Sequence, residues 1–145
     1  MEKSEKSTVL VCVTDQLSCG RLILAGVQIA QEHNAKVQVL SVLPEGIISE
    51  NTATVMQDLF EIAGDADAEM NFYFNDSPAL TAAVHARKNG ATHIISGVPG
   101  VGSNLFIETL KGLLPEVSLT LVNNENEIYT FPAVSSDFMS KACAI

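Results

Sequence analysis

The sequence predicts an α/β fold in three layers, with a parallel sheet covered by helices on both faces. Five β-rich segments alternate with four segments of helical periodicity along the 145 residues, and this alternation is typical of parallel strands joined by crossover helices. The first β-rich segment, TVLVCVT at 8–14, is an almost continuous apolar run, as expected of a strand buried on both faces. The length and the 47% hydrophobic content suit one domain with one core.

Each predicted element has its own signals in the sequence. The predicted strands cover 8–14, 36–43, 68–75, 92–97 and 117–122, and the predicted helices cover 18–34, 52–64, 77–90 and 103–115. The third helix has the clearest boundaries, because Ser77 can cap it, Pro78 occupies its first position and Gly90 follows its end. Pro44 ends the second strand, and Pro115 ends the fourth helix.

The domain is expected to cover residues 8–123, between a flexible N-terminus at 1–7 and a tail at 124–145. The composition changes after Asn123, where the tail holds one strand-like piece at 127–131 followed by a proline and small residues. A mostly flexible tail is the favoured interpretation, and a docked extra strand or a partner-binding arm is the alternative.

The charge balance excludes some classes of partner. Eight basic residues against 17 acidic ones give a net charge of −9, and so acidic a surface repels nucleic-acid backbones and anionic membranes. The charged start, MEKSEKSTVL, is unlike a secretory signal, and no apolar run approaches the roughly 20 residues that span a bilayer. We therefore expect a cytoplasmic protein that neither binds nucleic acid nor inserts into a membrane.

A loop with three glycines follows the fourth strand, in the segment HIISGVPGVGSNLF at 93–106. Gly97, Gly100 and Gly102 allow backbone N–H groups to approach a phosphate, and Ser103 and Asn104 come where the next helix begins. Ligands of parallel sheets bind beyond the carboxyl ends of the strands, where the strand order reverses. This loop and the segment VTDQLS at 13–18 are both expected at that edge. A phosphate site and a plain strand-to-helix turn both stay open, and the plain turn is favoured.

Three segments of the chain carry a resemblance to universal stress proteins. The segment 9–44, VLVCVTDQLSCGRLILAGVQIAQEHNAKVQVLSVLP, resembles the opening of those domains, and NGATHIISG at 89–97 resembles the strand that leads into their phosphate loop. LLPEVSLTLV at 113–122 is most similar to the stress-protein-like module of Kdp-type potassium sensor kinases. The resemblance implies a Rossmann-like fold of the adenine nucleotide alpha hydrolase type. It also implies five parallel strands in the order 3-2-1-4-5 and a homodimer through the last strand, Val117 to Val122.

The resemblance also implies a ligand, ATP or AMP, and a set of binding residues. These residues are Val13, Thr14, Asp15, Val42, Gly97, Gly100, Gly102, Ser103, Asn104 and Gly112. The chain departs from the family pattern at several of them. Thr14 stands at the position of the family's aspartate, with Asp15 one place later, and Leu113 follows Gly112 where the family has a serine or threonine. No lysine or arginine lies in the loop, so the resemblance implies an altered or degenerate phosphate site.

The remaining candidate residues form no catalytic or metal-binding motif. His33, His85 and His93 lie in separate elements, and Cys12 and Cys19 have neither a disulfide framework nor a metal-ligand spacing around them. The favoured function is a regulatory or sensory module of the universal stress protein type, which acts through a homodimer or a protein partner. A nucleotide-binding protein with weak hydrolase activity is the alternative, and a scaffold without ligand is a third.

Overall fold

The computed structural model describes residues 7–14, 16–46, 48–98 and 105–133. Its strands are β1 (Thr8–Cys12), β2 (Lys36–Leu43), β3 (Glu69–Phe74), β4 (Ala91–Gly97), β5 (Ser118–Val122) and β6 (Ile128–Phe131). Its helices are α1 (Gly20–His33), α2 (Glu50–Asp65), α3 (Pro78–Lys88) and α4 (Leu105–Leu113), with one turn of 3-10 helix before α1. The predicted alternation of strands and helices is confirmed.

The strands form one sheet in the order β3-β2-β1-β4-β5-β6. Strands β1 to β5 are parallel to one another, which confirms the predicted order 3-2-1-4-5. The sheet has six strands rather than the five that were predicted, because β6 pairs antiparallel with β5 at the edge. All five residues of β1 are buried, as expected of the central strand.

The sixth strand lies where the sequence analysis favoured a flexible tail. A turn that begins at Asn123 brings β6 back along β5, since the Asn123 side-chain oxygen accepts hydrogen bonds from the backbone N–H groups of Glu125 at 2.9 Å and Glu127 at 2.8 Å. Asn126 takes the left-handed conformation that such a turn needs, with φ of 64°. Over these residues the structure has the alternative to a flexible tail, an extra strand docked on the sheet at Ile128–Phe131. Residues 134–145 lie outside the described residues.

The position of β6 also changes the predicted dimer contact. Val122 pairs with Ile128 and Leu119 with Phe131, so β6 occupies the outer edge of β5. A second copy therefore cannot pair with the segment Val117 to Val122 while β6 is in place. Among the described residues, the outer edge on this side of the sheet belongs to β6.

Two apolar layers hold the helices on the sheet. Val11 and Val39 face α1 and α2 and pack with Leu59, whereas Leu10 and Leu40 face α3 and α4. Each of these five side chains is at most 1% exposed, and burial of one such side chain contributes roughly 1.5–3 kcal/mol to the free energy of folding. The packing therefore fixes β1 and β2 firmly, and their carboxyl ends are rigid supports for a site.

Candidate functional site

A cavity of about 540 Å³ opens at the carboxyl ends of β1, β2 and β4. From β1 the chain crosses to β2 on one side, and β4 lies on the other side of β1. The strand order thus reverses between β1 and β4, which is where parallel sheets bind ligands. The volume lies within the range of small-molecule sites, ~300–1,000 Å³.

One part of the cavity wall is apolar. Leu40 and Val42 come from β2, Ala82 from α3, and Phe106 and Ile107 from α4. These side chains come from elements that the core fixes, since Leu40, Ala82 and Ile107 are buried. This end suits a flat apolar or heterocyclic group.

The other part of the wall is polar and lies at the start of α1. Thr14, Gln16 and Ser18 come from the segment between β1 and α1, Arg21 from the first turn of α1, and Asn124 from the turn after β5. They offer hydroxyl, amide and guanidinium groups to a ligand. The cavity therefore has one apolar and one hydrogen-bonding end.

The structure brings together four of the residues that the sequence proposed for nucleotide binding. Val13, Thr14, Val42 and Gly97 all line the cavity. Gly112 does not, since it lies exposed in the last turn of α4. The remaining five, which are Asp15, Gly100, Gly102, Ser103 and Asn104, lie outside the described residues. The nucleotide-binding role of the whole set stays a prediction.

Gly112 offers a simple test of its predicted role. A Cβ at this position would meet no atom within 4 Å, so Gly112→Ala adds helix propensity without a clash. We expect it to raise the free energy of unfolding by about 0.5–1 kcal/mol in thermal denaturation and to leave ligand affinity unchanged. Gly64→Ala in α2, where the space is also open, is the matched control. A loss of nucleotide affinity on Gly112→Ala would instead give Gly112 a binding role.

Two thiols line the cavity, and neither has the surroundings of a nucleophile. Burial raises the pKa of the Cys12 thiol to about 12, so Cys12 stays protonated at neutral pH. Cys19 is 6% exposed and accepts a hydrogen bond from the Thr14 backbone N–H, with 3.4 Å between nitrogen and sulfur. Cys19 therefore holds the turn that presents Thr14 to the cavity.

Arg21 is a charged residue of the site that the sequence did not suggest. Its guanidinium donates to the Val122 carbonyl oxygen at 3.4 Å and to Asn124 Oδ1 at 3.1 Å. These bonds join the first turn of α1 to the end of β5 across 101 and 103 residues of sequence. The available signal was the position of Arg21 three residues after the segment 13–18, which the strand pattern already placed at the ligand edge.

The histidines lie away from the cavity. His33 and His93 approach each other with 4.4 Å between ring centroids, and His85 bonds to Tyr73 and Gln38 inside the domain. Across the described ranges, no group of three or more His, Cys, Asp or Glu side chains is placed to hold a metal ion. Within the same ranges, no helix has both the length and the apolar character needed to cross a bilayer.

Comparisons with known proteins identify the fold. No protein-family model matches the chain, and no curated protein does. A universal stress protein solved in complex with cAMP is 18% identical with a TM-score of 0.57, over 75% of this chain and 90% of that one. UspA from Lactobacillus plantarum is 15% identical with a TM-score of 0.55, over 82% and 99%. The protein from Archaeoglobus fulgidus in complex with dAMP is 14% identical with a TM-score of 0.54, over 81% and 96%. The chain therefore has the fold of the universal stress proteins.

Proposed function

We propose that this chain is a regulatory module of the universal stress protein type that binds an adenine nucleotide in the cavity between β1 and β4. The observation that carries the proposal is the cavity itself, which lies at the reversal of the strand order and has one apolar and one polar end. Two proteins of the same fold were solved with adenine nucleotides, cAMP in one and dAMP in the other.

The lining favours binding over catalysis. Among the described residues that line the cavity, none is an aspartate, glutamate or histidine, so they supply no general base for the attack of water on a phosphate. Thr14 occupies the position of the family's aspartate, and its hydroxyl oxygen lies 3.5 Å from Cys19 Sγ. The alternative, a weak nucleotide hydrolase, would need groups that these residues lack.

The signal would pass to a second copy or to a protein partner through the β6 edge. Ile128, Tyr129 and Phe131 are 57%, 51% and 38% exposed, and among the described strands β6 pairs on one side only. An exposed apolar edge strand is a template for pairing with another strand. A homodimer that pairs at β6 would replace the contact through Val117 to Val122.

Thermal unfolding with AMP, cAMP, ATP and adenosine tests the proposed function. Saturation of the site with a bound nucleotide at about 100 times its dissociation constant should raise the free energy of unfolding by about 2.7 kcal/mol. For a chain of this length the unfolding temperature should rise by roughly 5–10 °C. Phosphate release from ATP is measured in parallel, and we expect none above the buffer rate.

A variant that fills the cavity makes the test specific to this site. A Cβ at Gly97 would meet Leu22 Cδ1 at 3.7 Å and the Val122 carbonyl oxygen at 4.0 Å, both ordinary contacts. Gly97→Val should therefore fold and should abolish the nucleotide-induced shift. Gly64→Val in α2, where a Cβ also meets no atom within 4 Å, is the matched control and should keep the nucleotide-induced shift. The absence of a shift with every nucleotide would contradict the proposal, and phosphate release lost in Gly97→Val would favour the hydrolase.

A further inference from the structure

Arg21 carries a charge that the described protein does not balance. The described residues place no carboxylate within ion-pair distance of its guanidinium, and its acceptors are one backbone carbonyl and one amide oxygen. Arg87, by contrast, pairs with Glu116 at 3.0 Å on the surface. A partly buried cation without a counter-ion among the described residues is unexpected in a chain of net charge −9, because carboxylates are plentiful and would lower its energy.

The guanidinium also has unused hydrogen-bonding capacity at the cavity. It has five N–H donors in a fixed plane, and the bonds to Val122 and Asn124 use two of them. Arg21 lines the cavity, so the remaining donors are available to a bound group. A guanidinium binds phosphate oxygens with two parallel bonds, which makes it a selective phosphate receptor.

The neighbours of Arg21 are neutral donors. Thr14 and Ser18 contribute hydroxyl groups, and Gln16 and Asn124 contribute amides. Among the described lining residues, Arg21 is the one charged side chain. One guanidinium with neutral donors balances one phosphate group well, whereas a triphosphate carries more charge than it can offset.

We propose that Arg21 is the phosphate-binding residue of this cavity and that the site selects nucleoside monophosphates over triphosphates. The nucleotide part of this inference rests on the proposed function. The base then lies against the apolar end formed by Val42, Ala82 and Phe106, and the phosphate lies at the start of α1. The Arg21 site would then hold the phosphate that, in the resemblance, belongs to the glycine loop.

Calorimetric binding of adenosine, AMP and ATP to the full chain tests the proposal, with Arg21→Gln as the variant. A charge-assisted hydrogen bond changes affinity by roughly 10- to 100-fold. The native chain should bind AMP by that factor more tightly than adenosine, and ATP no more tightly than AMP. Arg21→Gln should bind AMP as weakly as adenosine and should leave adenosine affinity unchanged. Arg87→Gln makes the same change of charge on the surface and should alter none of the three affinities.

Two further measurements separate recognition from a structural role. Asn124→Ala removes one of the bonds that hold Arg21 while keeping its charge, so AMP should still bind more tightly than adenosine. The second measurement uses the native chain alone. A rise in salt concentration should weaken the binding of AMP but not the binding of adenosine. This salt test keeps the proposal falsifiable if Arg21→Gln does not fold.

The outcomes distinguish this inference from the proposed function. Equal affinities for adenosine and AMP in the native chain would overturn the role of Arg21 and leave the nucleotide module standing. Binding of inorganic phosphate that is lost in Arg21→Gln, without binding of adenosine or AMP, would support the anion site and reject the nucleotide module. No binding of any probe would overturn both. ATP binding about tenfold more tightly than AMP would overturn the selection of monophosphates.

Discussion

Replacement of Gly26 by valine is expected to lower the free energy of unfolding by about 3 kcal/mol or more. Gly26 lies in the buried face of α1, directly over β1 and β4. A Cβ at this position would clash with Val11 Cγ2 and would lie 3.4 Å from Ile95 Cδ1. Val11 and Ile95 are both fully buried, so neither side chain has space to move aside.

Thermal and urea denaturation of Gly26→Val measure this effect. A loss of about 3 kcal/mol should lower the unfolding temperature by roughly 6–12 °C in a chain of this size. Gly64→Val in α2 is the matched control, because a Cβ there meets no atom within 4 Å. Similar losses in the two variants would show that helix propensity, rather than the contact with β1, sets the cost.

The strand order and the main elements could be anticipated because their signals are local or follow from the resemblance. The close approach at Gly26 could not, since a glycine at a helical spacing looks the same whether it touches a strand or water. The hairpin to β6 was underestimated because its evidence is one side chain, Asn123, which bonds to the backbone at positions 125 and 127. Turn chemistry of this kind is visible in the sequence but competes with a polar composition that is equally typical of a flexible tail.

The site was predicted in part, and for a physical reason. Val13, Thr14, Val42 and Gly97 could be proposed from their positions at strand ends, and they line the cavity. Arg21 reads in the sequence as an ordinary polar residue in the first turn of a helix. Only the tertiary contacts with Val122 and Asn124 show that it turns toward the ligand edge. Long-range contacts of this kind leave no periodicity in the sequence.

A buried polar network around His85 is the other feature that the sequence did not reveal. His85 is 5% exposed, and Gln38 Oε1 lies 2.9 Å from its Nε2. Gln38 Nε2 donates to Glu69 and Asn89, each at 3.3 Å, so Gln38 Oε1 is the acceptor and His85 Nε2 carries the hydrogen. The Tyr73 hydroxyl then donates to His85 Nδ1 at 2.9 Å. A neutral imidazole therefore satisfies every one of these bonds.

Replacement of His85 by leucine is expected to cost about 2–3 kcal/mol of unfolding free energy. The change leaves Gln38 Oε1 buried without its donor, and an unsatisfied buried acceptor costs about 1–3 kcal/mol. The altered shape of the side chain adds a packing cost. The double variant Gln38→Leu with His85→Leu should recover part of the loss, since it removes the orphaned acceptor as well. If the loss of unfolding free energy in the double variant equals the sum of the losses in Gln38→Leu and His85→Leu, the two side chains are not coupled.

Two histidines, His85 in this network and His93 outside it, make stability depend on pH. Burial lowers the pKa of His85 below 6.5, against the opposing effect of the Glu69 carboxylate and with a further decrease from Lys88. Burial and the nearby His33 also lower the pKa of His93. The unfolded chain therefore binds more protons than the folded chain as the pH falls below about 6.5. The contribution of the two neutral imidazoles to the free energy of unfolding is complete above about pH 6.5. It is lost as the pH falls from 6.5 toward the pKa values of the folded state.

Urea denaturation of the native chain and of His85→Leu at pH 7.5, 6.5 and 5.5 measures this dependence. The native chain should lose stability between pH 7.5 and 5.5, and His85→Leu should lose less over the same interval because one of the two shifted imidazoles is gone. His93→Gln removes the other shifted imidazole and should likewise reduce the change of unfolding free energy with pH. Equal slopes in the native chain and in His85→Leu would mean that His85 takes up its proton equally well in both states. The hydrogen bond to Gln38 would then hold the imidazolium as well as the neutral ring.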